Sequence, residues 1–214
     1  MIRPAAQDVL IIVDLQHDFL PGGALAVPAG DEVIGPINDV ARRFRHVLLT
    51  QDWHPQGHVS FASSHAGKQP FETIELAYGT QVLWPDHCIQ GSRGARITEA
   101  LDVPQAELII RKGYYGHTDS YSGFVEADRR TRTGLAGYLR ERGVARVFCV
   151  GLATDFCVSW TALDAREAGF EAYVIEDACR GIDTGGSLAA AFEAWGRAGV
   201  RRVLTSEIEA RAGR

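Results

Sequence analysis

Cysteine is scarce, with four residues (Cys88, Cys149, Cys157 and Cys179) in a chain of 214 and no C-x-x-C pair among them. That excludes a disulfide scaffold, a zinc ribbon and a dithiol redox motif, and it points to a reducing compartment. Long apolar runs are missing as well. The first run, Val9 to Val13, stops at Asp14 after five residues, too short for a signal-peptide core or a bilayer span of about 18 residues. We therefore expect a cytoplasmic protein with no membrane partner. Nor is there an excess of positive charge: 22 Lys and Arg stand against 27 Asp and Glu, a net charge of −5. A nucleic-acid partner needs a strongly basic face and is not expected. The short basic runs Arg42-Arg43-Phe44-Arg45 and Arg129-Arg130-Thr131-Arg132 read as solvated surface. No internal repeat or low-complexity linker divides the chain, so residues 1–214 are expected to form one domain.

What is present is an alternation. Short β-branched runs at Val9 to Val13, Val47 to Leu49, Leu108 to Ile110, Val147 to Val150, Tyr173 to Ile175 and Val200 to Leu204 read as buried strands. Between them lie helical periods: Val33, Ile37, Val40 and Phe44, then Leu135 to Leu139, Val158 to Ala168, and Leu188 to Ala198. Strand and helix in turn give right-handed βαβ units. The expected fold is α/β, a three-layer αβα sandwich around a six-stranded, mainly parallel sheet. The polar, Gly- and Pro-rich stretch from Trp53 to Gly94 shows little that resembles a core element, and irregular segments of that length are often functional.

In open α/β sheets ligands bind beyond the carboxyl ends of the strands. Reactive residues follow four of the runs: Asp14 the first, Asp52 and His54 the second, Lys112 the third, and Cys157, beyond the turn opened by Gly151, the fourth. Cys157 also precedes a helical pattern, and a helix N-terminus favours a thiolate. Cys149 and Cys179 instead read as core residues. A carboxylate ending a buried strand, as Asp14 does, gains proton affinity through desolvation. Lys112 carries an ammonium suited to holding sulfur and carboxylate in register. Asp52 and His54 lie two apart and leave one side of an extended segment. With His87 they form an O/N/N set for a divalent transition metal, zinc first, manganese or iron also fitting. Ser60 is a candidate fourth contributor, directly or through water. His58, His65 and His117 read as solvated, and His17 and His46 as structural. The segment after the first strand, Asp14 to Phe19, has neither a G-x-G-x-x-G nor a P-loop, which weighs against a non-enzymatic nucleotide-binding α/β module.

These residues fall in the strings Val13-Asp14-Leu15-Gln16-His17-Asp18-Phe19, Gln51-Asp52-Trp53-His54-Pro55, Trp84-Pro85-Asp86-His87-Cys88, Lys112-Gly113, Asp119-Ser120-Tyr121-Ser122-Gly123-Phe124 and Gly151-Leu152-Ala153-Thr154-Asp155-Phe156-Cys157-Val158. In them the chain resembles the nicotinamidases of the isochorismatase-like cysteine hydrolases, from Val9 to about Leu204. The resemblance implies a triad of Asp14, Lys112 and Cys157 and metal ligands Asp52, His54 and His87. It also implies an oxyanion hole from the N–H groups of Ala153 or Thr154 and Cys157, and a ring pocket of Phe19, Leu25, Trp84, Tyr121 and Phe156. A non-proline cis peptide is expected at Ala153-Thr154. The implied reaction is hydrolysis of nicotinamide through a cysteine thioester, with a place in NAD salvage. N-carbamoyl or ureido amidohydrolases and isochorismatase-like enzymes are the alternative within the superfamily; they generally lack the D-x-H and W-P-x-H set. His17 stands where relatives commonly have Asn, so the hydrogen bonding of that turn is an open point. Self-association, the range of amides accepted and the metal's identity are left open by the sequence.

Overall fold

The computed structural model describes residues 1–210. Its centre is a six-stranded sheet in which every neighbouring pair is parallel. The strands are β1 (Asp8–Val13), β2 (His46–Asp52), β5 (Ala106–Lys112), β6 (Arg146–Leu152), β7 (Glu171–Arg180) and β8 (Arg201–Val203), in the order β5-β2-β1-β6-β7-β8. The chain thus builds outward from β1 through β2 to β5, then returns to the other side of β1 to lay down β6. That reversal between β1 and β6 is a switch point, where parallel sheets open a crevice at their carboxyl ends.

Side-chain alternation along β1 divides the core. Leu10 and Ile12 face one layer, where they join Ile37 and Val40 of α1 (Ile34–Ala41) and Val33 just before it. Val9, Ile11 and Val13 face the other, with α2 (Leu135–Glu141), α3 (Ser159–Glu167) and α4 (Ser187–Ala198) contributing Leu135, Leu139, Ala162, Ala165 and Trp195. Both faces of the central strands are dry, which is why these runs read as continuous hydrophobics rather than as a half-polar alternation. The outer strands differ from the sequence reading. β5 is an edge strand whose Ile109 is about half exposed, so the run Leu108 to Ile110 is only partly buried.

The stretch from Trp53 to Gly94 is more structured than its composition suggested. It contains an antiparallel hairpin of β3 (Thr73–Leu76) and β4 (Gly79–Val82). Phe61, Leu83 and Trp84 within it are buried, and single bridges join His54 to Ile89 and Phe61 to Trp84. Its core contribution comes from isolated residues spaced along irregular backbone, which carry no periodicity to read.

Candidate active site and metal centre

Four chain segments end at one rim, and each is held by its own backbone chemistry. Asp14 directly follows β1 with φ of 49°, a left-handed conformation that Asp tolerates better than most residues. Its backbone N–H donates to Thr50 Oγ1 at 3.2 Å, and Thr50 Oγ1 in turn donates to Asp14 Oδ1 at 2.6 Å. Asp52 ends β2, where the Gln16 side chain donates to its carbonyl at 2.8 Å and accepts from its N–H at 2.7 Å. Gly113, after β5, is at φ of +63°, and a Cβ there would lie 2.3 Å from the His54 ring, so only glycine allows the imidazole to sit against this turn. On β6, Gly151 is at φ of +111°, and an added Cβ would meet Val13 O at 2.2 Å. The chain can then leave the sheet close beside β1.

Cys157 lies in a π-helical turn, Thr154–Val158, that leads into α3. Such turns are rare and often mark functional sites. The N–H groups of Phe156 and Val158 both donate to Ala153 O at 3.1 Å. The cis peptide joins Leu152 to Ala153, not Ala153 to Thr154 as expected; it lies one residue earlier, where β6 ends and the turn begins.

Lys112 is fully buried. Its ammonium lies 2.9 Å from Asp14 Oδ2 and 2.5 Å from Asp52 Oδ1, and it donates to Cys157 Sγ at 3.2 Å and Ser120 O at 3.1 Å. One cation therefore touches both carboxylates and the sulfur. Burial works against that charge, but Asp14, Asp52 and Cys157 outweigh it and hold the Lys112 pKa well above its ordinary value. For Asp52, burial is overcome by Lys112 and His54, so the carboxyl stays ionised, well below its usual range. For Asp14, burial prevails over the pull of Lys112 and the net shift is upward. Asp14 Oδ2 has no aligned hydrogen-bond partner; its approach to Lys112 is a charge contact. Donor atoms of Asp14, Asp52 and Cys157 all lie within 4.8 Å of one another, so one oxygen of the Asp14 carboxylate is near the sulfur.

The helix N-terminus that favours a thiolate is not the whole environment of the sulfur. Burial pushes the Cys157 pKa well above its ordinary value, Lys112 offsets only part of that, and the two carboxylates add to it. Sulfur in a dry turn beside two negative charges keeps its proton at rest. Cys149 and Cys179 are buried thiols, as expected; burial pushes both well above the ordinary thiol value, Cys179 to about 12.

Asp52, His54 and His87 converge on a second point. Asp52 Oδ2 lies 3.5 Å from His54 Nε2 and 3.7 Å from His87 Nε2. His54 Nδ1–H donates to Gly113 O at 3.0 Å, and His87 Nδ1–H to Pro85 O at 2.8 Å. Carbonyl partners fix each ring so that Nε2 faces the carboxylate, the arrangement that orients metal-binding imidazoles. Burial lowers the proton affinity of His54, yet Asp52 outweighs it and the net shift is upward, so the pocket draws positive charge. The cluster of Asp14, Asp52 and Lys112 also carries two negative charges against one positive, and a divalent cation would neutralise the excess. The donor set fits such an ion.

Ser60 and His58 belong to a neighbouring layer. His58 is buried, a correction to its reading as a solvated residue. Its Nε2–H faces Tyr115 O at 3.1 Å and Thr118 O at 3.0 Å, and its Nδ1 lies 2.7 Å from Ser60 Oγ. Burial and the nearby His54 push its pKa down to about 4. With Nε2–H given to the Tyr115 and Thr118 carbonyls, Nδ1 accepts the Ser60 hydroxyl proton. His65 is half-buried and donates from its ring to Val59 O, His117 is exposed, and His46 and His17 pair with Glu107 at 2.7 Å and Glu99 at 3.0 Å. The His17 side chain is therefore satisfied outside the site.

A cleft of about 340 Å³, open mouth included, is lined by Phe19, Leu25, Trp84, Tyr121, Phe156, Asp52, His54, His87, Ala153 and Cys157, with Asp119, Ser120 and Ile182 completing it. Trp84 meets Phe156 edge to face at 4.9 Å. The cleft's aromatic lining suits a flat ring, and both Cys157 and the O/N/N set open onto it. Thr154 and Ser60 do not line it. Asp119 and Ser120 lie in a string that carries the resemblance but are given no role there, and Ile182 is not named at all. Among the described residues no helix is long and apolar enough to cross a membrane.

An isochorismatase domain model matches residues 8–207. The chain is 55% identical to a nicotinamidase of Acinetobacter baylyi over 207 residues, 97% of each chain. Among solved structures it is similar to an Acinetobacter baumanii nicotinamidase, with 56% identity and a TM-score of 0.94, covering 95% of this chain and 98% of that one. A protein of L. infantum in complex with nicotinate matches at 39% identity and a TM-score of 0.86 over 98% and 99%. A pyrazinamidase of Pyrococcus horikoshii in complex with zinc matches at 38% identity and 0.76 over 92% and 99%. With nearly its whole length matched, and with the sheet, rim and cleft described above, this chain belongs to the isochorismatase family.

Proposed function

We propose that this protein is an amidohydrolase that converts nicotinamide and water to nicotinate and ammonia, acting as a single domain, with a role in NAD salvage. The observation that carries the reading is the fourfold contact of Lys112 with Asp14, Asp52, Cys157 and Ser120 at the foot of an aromatic cleft. The curated relative named above acts on the same amide.

In this reading nicotinamide lies flat between Trp84, Phe19, Tyr121 and Phe156, with Leu25 at its edge. The Cys157 sulfur attacks the carboxamide carbon as its proton passes to the Asp14 carboxylate. Delivering the proton only on attack suits a thiol that burial keeps protonated at rest. The oxygen of the tetrahedral intermediate is met by backbone N–H groups of Ala153 or Thr154 and of Cys157. Asp14 returns the proton to the nitrogen, the C–N bond breaks, and ammonia leaves a thioester. A water then gives one proton to Asp14 and attacks the thioester carbon; the C–S bond breaks, and the sulfur recovers its proton. Lys112 keeps Asp14 and Cys157 in register throughout.

Asp52, His54 and His87 would hold a divalent ion, which when bound would supply a Lewis acid to the substrate's ring. Zinc suits the O/N/N donors and is present in the pyrazinamidase relative; manganese and iron fit the same donors. Ser60 donates its hydroxyl proton to His58 and keeps its oxygen lone pairs for the ion, directly or through water.

The test is ammonia release from nicotinamide by the purified protein, before and after chelation, alongside Cys157→Ala. We expect turnover by the wild type, its loss on chelation with return on added zinc, and none from Cys157→Ala. Wild-type turnover retained by Cys157→Ala would remove the nucleophile assignment.

A further inference from the structure

The hairpin of β3 and β4 contributes one buried polar side chain to the site, Gln81, which none of the chemistry above uses. Its amide has one partner in the turn of its own hairpin and two beyond it. Oε1 accepts from Tyr78 Oη at 3.0 Å, while Nε2 donates to Asp119 Oδ2 at 2.7 Å and to Tyr121 Oη at 3.1 Å. The amide orientation is set by its surroundings. Nε2 faces a carboxylate and, at 2.6 Å, the carbonyl of Val82, and a flipped amide would place oxygen against two groups that only accept.

Asp119 and Tyr121 both line the cleft. Trp84 Nε1–H donates to the same Tyr121 oxygen at 3.0 Å, so that oxygen accepts twice and the phenol ring is held from two sides. Asp119 Oδ1 accepts the N–H of Ser120 at 2.8 Å, and Ser120 O is a partner of Lys112. Gln81 is thus the point where the hairpin grips the Tyr121 wall and the loop that carries Ser120 to the lysine.

We propose that Gln81 is a positioning residue for substrate binding: it fixes the Tyr121 ring and the Asp119 loop as one wall of the ring pocket, so the hairpin sets affinity for the flat ring. The inference rests on the amidohydrolase reading above. Gln81 is far from the sulfur in this network, and its effect falls on binding rather than on the covalent steps.

The experiment is a double-mutant cycle of Gln81→Leu and Tyr121→Phe, reading KM and kcat for nicotinamide with thermal midpoints as a folding control. Gln81→Leu is expected to raise KM about tenfold, the scale of one lost hydrogen bond to a charged group, with kcat within about twofold. The two substitutions should be partly non-additive, since Gln81 acts on this wall through Tyr121 as well as through Asp119. Gln81→Asn, which keeps the amide on a shorter arm, should recover part of the loss. Additive effects, or a Gln81→Leu enzyme losing kcat in step with its thermal midpoint and unrescued by Asn, would overturn the proposal. Absence of wild-type turnover would instead strike the amidohydrolase reading, so the two failures are distinguishable.

Discussion

Replacing Lys112 by Met tests the central ion cluster through stability rather than activity. Met keeps the stem volume and removes the ammonium, leaving the fully buried Asp14 and Asp52 carboxylates without their shared cation. Breaking a buried ion pair by removing one partner costs about 3–5 kcal/mol. At about 2–4 °C per kcal/mol for a domain of this size, the unfolding midpoint should fall by about 6–20 °C at neutral pH. The pH dependence follows from the signs. In the wild type Asp52 is held below its ordinary pKa, so its stabilisation is present above the unfolded carboxylate value of about 3.9 and is lost as pH falls below it. In the variant burial acts unopposed by the lysine, both carboxyls take up protons more readily than in the unfolded chain, and the penalty appears only as pH rises above that value. The gap between the two proteins should therefore narrow toward about pH 4 and widen toward neutrality. Denaturant titrations of chelator-treated protein across that range measure it. A Lys112→Met protein as stable as wild type at pH 7, or a gap indifferent to pH, would refute the claim that this ammonium neutralises two buried carboxylates.

Further outcomes are expected elsewhere in the site. Gly113→Ala adds a Cβ 2.3 Å from the His54 ring at a positive φ; stability should fall by about 1–3 kcal/mol, and zinc retained per chain after gel filtration should drop with it. His54→Ala combined with His87→Ala removes both imidazole donors, so metal content should fall to background while circular dichroism keeps the α/β signature. Because Asp52 raises the proton affinity of His54, protons compete with metal. Zinc affinity measured by competition with a chelating dye should weaken as pH falls through the His54 pKa and level off above it; a pH-independent affinity would remove His54 from the ligand set.

Much of the fold was legible because buried parallel strands announce themselves. Val9 to Val13 and Val147 to Val150 are apolar on both faces, and the residue that ends such a run sits at the crevice by topology alone. Asp14, Asp52, Lys112 and Cys157 could be nominated from position and residue type, and the family resemblance reached the same residues. Local sequence also named the aromatic lining, since Phe19, Trp84 and Phe156 fall inside the matched strings.

What the linear order could not supply were the consequences of packing between distant segments. The proton on Cys157 is decided by desolvation and by two carboxylates brought from β1 and β2, not by the helix that follows it. His58 looked solvated in a polar loop and is buried because Tyr115 and Thr118 fold over its ring. Gln81 lies in a hairpin whose four-residue strands are too short to carry a clear pattern. Chemical character and strand-end placement are local properties and can be read from residue order; protonation, hydrogen-bond pairing and the width of a pocket depend on which remote groups exclude water from each other, and only the folded chain decides that.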